Sequence, residues 1–180
     1  MFGYAFSMEP LSEPLTQALE TWRALCRDTP CPRRADFDPL KFRPVLGMLS
    51  LLEVYRNPWR FKYRVHGTVT ALWVGYDLTG KFVDEGANKA WTDRANEHLA
   101  QVAITGRPAI ERHYNQILAM RNLNVEALVM PLAADGYTVD LLISILIPHN
   151  TDPVWRAQAP RTERIAIAED MSAILDTAGV

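Results

Sequence analysis

Little in this sequence points to disulfide, metal-cluster or membrane-embedded chemistry. It holds two cysteines in 180 residues, Cys26 and Cys31. Their separation is not C-x-x-C, and no other thiol exists to complete a zinc site. A chain of this length can build a core without a disulfide, so both thiols are expected to be reduced, as in the cytoplasm. A basic excess is also missing: 19 Lys and Arg stand against 21 Asp and Glu, a formal net charge of -2. With no surplus of cations to neutralise phosphates, no nucleic-acid partner is expected. The longest apolar run, Leu141 to Ile147, is interrupted by Ser144 and is far shorter than a bilayer span. Met1 to Pro10 has neither the basic start nor the apolar centre of a signal peptide. A cytoplasmic location with no membrane association is the expectation. G-x-S-x-G, H-E-x-x-H, P-loop and G-x-G-x-x-G motifs are all lacking, so no catalytic machinery is expected.

What is present is ordinary globular material, 48% apolar and 22% charged, enough for a sizeable core. The first 34 residues read as a helix and a linker. Ser12 is placed to cap a helix running to about Arg27, with Pro14 tolerated in its first turn. Leu15, Ala18, Leu19, Trp22, Leu25 and Cys26 recur on one stripe of it. Thr29-Pro30-Cys31-Pro32 breaks the helix and reads as a linker. Asp38-Pro39 then opens a short helix to about Val45.

Residues 35–149 read as the main domain. Two strands, to Tyr55 and from Arg60 to His66, flank the turn signal Asn57-Pro58. A short helix from about Thr68 to Val74 ends at Gly75, and a long one runs from about Asn88 to Thr105 with Gly106 behind it. Three strands follow, near 109–119, 124–132 and 137–147. Asp135-Gly136 is the signal of a type I′ hairpin turn, and Pro148 is expected to stop the last strand. The order predicts an α+β domain with one antiparallel sheet. The last strands are apolar on both faces, so the second face needs a cover. The amphipathic N-terminal helix is the first choice for it and a partner subunit the second. Residues 150–180 read as a linker and then a helix from Thr162 to Thr177, although the alternation at Ile165 and Ile167 also permits a strand.

Five stretches carry a family resemblance: Ala35 to Pro39 with Pro-Val-Leu behind it, Phe61 to Thr68, Gly75 to Gly80, Thr105 to Pro108, and Met130 to Leu132 with Asp135, Gly136 and Asp140. In that order they resemble the PAS domains of small, mostly stand-alone bacterial proteins. The resemblance implies a five-stranded sheet of order 2-1-5-4-3 with helices over one face. It also implies a sensory or signalling role through a small-molecule ligand, a homodimer contact or a signalling protein partner. No cofactor is required. Haem is the minor option, with His98 of the long helix as its axial ligand, and His66, His113 and His149 read as surface or structural. The flavin chemistry of this fold needs a cysteine in the helical segment, and both cysteines precede the sheet. The candidate ligand-binding residues are Tyr63, Trp73, Tyr76, Trp91 and His98, with Phe61, Val65, Leu72, Phe82 and Leu99 as further wall. Arg64 and Arg112 are the candidates for an anionic group, although strand parity turns both outward. An enzyme or carrier built on a cone-shaped α+β cavity is the alternative, and it would need a polar constellation inside the pocket.

Overall fold

The computed structural model describes residues 11–118, 121–150 and 161–165. Helix α1, Glu13–Leu25, buries Leu15, Ala18, Leu19, Trp22 and Leu25, the stripe its spacing dictates. Ser12 stands at its N-cap without a side-chain cap. Its carbonyl accepts from the Leu15 and Thr16 amides instead. Thr29 to Arg33 is no free linker. The Cys31 amide donates to the Gly136 carbonyl, and the Pro32 carbonyl accepts from the Ala133 amide. A 3-10 segment over Pro39–Met48 packs Phe42 and Val45 beside α1.

Strands β1, Leu49–Tyr55, and β2, Arg60–Val65, form the expected hairpin, with Asn57 in the left-handed region at its turn. Helix α2, Thr68–Val74, stops at left-handed Gly75, and a short 3-10 turn follows at Val83–Glu85. Helix α3, Lys89–Thr105, is capped by Asn88, whose side chain accepts from the Trp91 amide, and by left-handed Gly106. Then come β3, Ala109–Leu118, β4, Arg121–Ala133, and β5, Val139–Asn150.

All pairings between these strands are antiparallel, an isolated parallel bridge joining Arg33 to Ala133, and the five strands have the expected order β2-β1-β5-β4-β3. A sixth strand, β6, Arg161–Ile165, extends the sheet along β3. The helix expected from Thr162 is therefore corrected over its first residues. The open edge of β3 offers a ladder of donors and acceptors, and the Thr- and Ile-containing segment takes it up. The remainder of that expected helix, 166–180, lies outside the described residues, as does the linker 151–160.

Two further expectations change. Pro148 does not end β5, which continues to Asn150. Pairing with β1 stops at Ile145, so beyond it a residue lacking an N–H sits where no second neighbour needs one. The β4–β5 connection is not a type I′ turn, because Gly136 has φ +82° while Asp135 is not in the left-handed region. The Asp135 carboxylate shapes the loop by accepting from the Tyr137 and Thr138 amides.

The sheet is covered on both sides. Its rear face, with Leu128, Met130 and Leu132 of β4 and Leu141, Ile143 and Ile145 of β5, packs on α1 and the Pro39–Met48 segment. Its front face, with Leu52, Phe61, Val129 and Leu142, packs on Leu99, Val102 and Ala103 of α3. Val139 crosses to the front cluster despite sharing parity with Leu141. The register shifts by one between Leu132 and Ala133, which flips the faces beyond it.

Candidate functional site

The front face encloses a cavity of about 30 Å³ between α3 and the sheet. Leu52, Tyr63, Ala127, Val129, His113, Ser144 and Leu146 form its floor, and Trp91, Ala95, His98 and Leu99 its lid. Its volume suits one or two waters or an ion, whereas drug-sized ligands take roughly 300–1,000 Å³. A haem plane has no room here in this arrangement of side chains, although His98 does reach the cavity.

At the β3 side of this cavity three buried polar groups meet. His98 of α3 and Glu111 and His113 of β3 are each less than 5% exposed. His98 Nδ1 lies 3.5 Å and His113 Nε2 3.6 Å from Glu111 Oε2. The Trp91 ring stands edge-on to His113 at 5.0 Å between centroids. Burial, with the fields of His98 and Arg94 added, pushes His113 down to about 3, so the ring is neutral at ordinary pH. The carboxylate 3.6 Å away does not reverse this. Strand alternation explains the placement: Glu111 and His113 share the front face, and His98 follows Ala95 by one helical turn.

Arg112, between them, faces the rear. Its Nε donates to Glu126 Oε1 at 2.9 Å, both side chains being buried. Glu126 Oε2 lies 3.1 Å from His149 Nε2 and accepts from the Ser12 amide at 3.4 Å, at the start of α1. Burial pushes the Glu126 carboxyl up. Hydrogen bonds from His149, Ser12 and Arg112, with the charge of His149, outweigh it and hold it down to about 2. A cleft of about 280 Å³ opens beside this group, lined by Ser12, Arg112, Tyr114, Asn124, Glu126 and His149 among others.

Of the residues the sequence singled out, Tyr63, Trp91 and His98 come together at the front cavity. Trp73 is half-buried away from it. Tyr76 is half-buried too, and its hydroxyl accepts from the Ala87 amide. Arg64 is exposed. Arg112 points to the rear, as its parity required, yet it is buried there rather than solvated. Val65 and Leu72, expected in the wall, are 45% and 76% exposed. The register shift between Leu51 and Leu52 carries the end of β2 off the cavity. His66 is a buried structural histidine, its Nδ1 accepting from the Leu78 amide at 3.1 Å. Asp84, in the short 3-10 turn, is clamped by two hydrogen bonds from Arg60. Sequence reasoning set aside His113 and passed over Glu111. The available signal was their i, i+2 spacing on one strand face, opposite a helical histidine.

An antiparallel sheet of this order, with α3 over one face around a small cavity and α1 against the other, defines an α+β domain of the PAS type. The chain belongs to the PAS domain family, whose model matches residues 11–147 and so takes in α1 as well as the sheet. No curated protein and no solved structure matches the chain. No helix among the described residues is long and apolar enough to cross a membrane.

Proposed function

We propose that this protein is a non-enzymatic sensory module in which the front cavity responds to a small ligand and α1 carries the response. The observation behind this reading is the alternation of Glu111, Arg112 and His113 along β3. The first and third belong to the front cluster, and the second holds the clasp that ends at the first turn of α1. A change in how the front cluster is occupied bears on β3, and through Arg112 and Glu126 on the helix. A ligand shifts this equilibrium only by its differential affinity for the two positions of β3. In this reading the response passes to another chain, either a second copy in a homodimer or a signalling protein partner. Both cysteines are free, and burial pushes Cys31 up to about 12, so its thiol stays protonated and unreactive.

The test fills the cavity without any ligand. Ala95→Val places added methyl groups in the cavity wall. The expected outcome is an altered hydrogen-exchange protection of amides 13–25, with the amides of β1 and β2 unchanged. Unaltered protection of α1 in a folded Ala95→Val protein would refute the coupling. Light scattering of the full chain across a concentration series decides between the two outputs, a homodimer giving twice the 20.4 kDa chain mass.

A further inference from the structure

We propose that His98, Glu111 and His113 form a binding site for one divalent first-row transition-metal ion, so that the small ligand of the front cavity is a metal ion or a molecule bound to it. This names what the cavity reads and so rests on the sensory reading above for its consequence, while the binding itself rests on geometry.

The three donor atoms lie within 4.8 Å of one another, and two of their separations are 3.5 and 3.6 Å. A tetrahedral ion bonded at about 2.0–2.1 Å sets its ligand atoms roughly 3.3 Å apart. The two measured edges are near that value, and both exceed the roughly 2.9 Å of a good hydrogen bond. The third edge lies within 4.8 Å. The donor set is two imidazoles and one carboxylate. Nitrogen donors of this kind select zinc, iron, cobalt, nickel or copper over magnesium and calcium, which prefer oxygen. Three protein ligands leave a coordination position open. His98 and His113 both line the cavity of about 30 Å³, which has room there for a water or a diatomic molecule and for little more. The Trp91 ring against His113 fixes the orientation of one ligand.

The experiment uses the full chain after chelator treatment and dialysis, with Co²⁺ and Zn²⁺ as probes. The expected result is one Co²⁺ per chain with visible d–d absorption, displaced by Zn²⁺, and a Zn²⁺-dependent rise in melting temperature. His98→Gln, Glu111→Gln and His113→Gln each weaken Zn²⁺ binding tenfold or more by calorimetry, whereas Cys26→Ser leaves it unchanged. The melting curve without metal verifies that each variant is folded. Absence of a Co²⁺ spectrum and of binding heat in the wild-type chain overturns the proposal. So does binding that survives in all three Gln variants, or that is lost in Cys26→Ser. The two readings fail separately. Metal binding without a change in α1 hydrogen exchange overturns sensing through the sheet and leaves the site. A response to Ala95→Val without metal binding overturns the site and leaves the sensing.

Discussion

At the level of single residues, α1 is held to the sheet by its apolar stripe and by individual hydrogen bonds. The Trp22 indole Nε1 donates to the Pro131 carbonyl at 2.8 Å in the interior of the rear core. Trp22→Phe keeps most of the apolar surface and removes the donor, leaving a buried carbonyl unsatisfied. The expected loss is about 1–3 kcal/mol in urea unfolding, with the slope of the transition unchanged. The stripe containing Trp22 was legible in the sequence because helical spacing is a local property. Its hydrogen bond was not, because the acceptor is 109 positions away. Gly136 shows the opposite division. Its need for positive φ was legible, while the turn type was decided by the Asp135 carboxylate; Thr29, whose Cγ2 would meet an added Cβ at 2.6 Å, leaves no space for a side chain there.

At the level of elements, β3 is the piece on which the most depends. It pairs with β4 and β6, carries the front cluster on one side and anchors the rear clasp on the other. Removing one partner of a buried ion pair costs about 3–5 kcal/mol, since the other charge stays behind. Arg112→Met is therefore expected to destabilise the protein by a few kcal/mol, tempered by His149, which still faces Glu126. Replacing both as Arg112→Met with Glu126→Leu is expected to recover most of that loss, because no buried charge is then stranded. A double-mutant cycle in chemical denaturation checks it; a loss in the double variant equal to the sum of the two single losses would deny that the pair is coupled. Strand parity correctly turned Arg112 to the rear. Whether the rear was wet or dry was set by what α1 and its neighbours cover, and parity carries no information on that.

For the whole molecule, the clasp has a signature in pH. The Glu126 carboxyl is held at about 2 in the fold, against an ordinary value of 4.5. A group depressed in this way binds more protons when unfolded, so it stabilises fully above about pH 4.5 and its contribution is lost as pH falls from there toward 2. At about 1.4 kcal/mol per unit, the loss attributable to Glu126 is on the order of 3 kcal/mol. Thermal melts from pH 6 down to pH 2 are expected to slope less for Glu126→Gln than for the parent chain; parallel slopes would remove Glu126 from the account. The first five strands, the long helix, the amphipathic stripe of α1 and a single antiparallel sheet were determined by the sequence alone, because period-2 and period-3.6 patterns and turn residues act over a few neighbours, whereas the strand order was implied only by the family resemblance. The bulges that move Val65 and Val139, the strand at 161–165 and the meeting of His98 with Glu111 and His113 were decided only by tertiary structure. Each of these depends on which backbone lies alongside, and that is settled when α3 docks on one face of the sheet and α1 on the other.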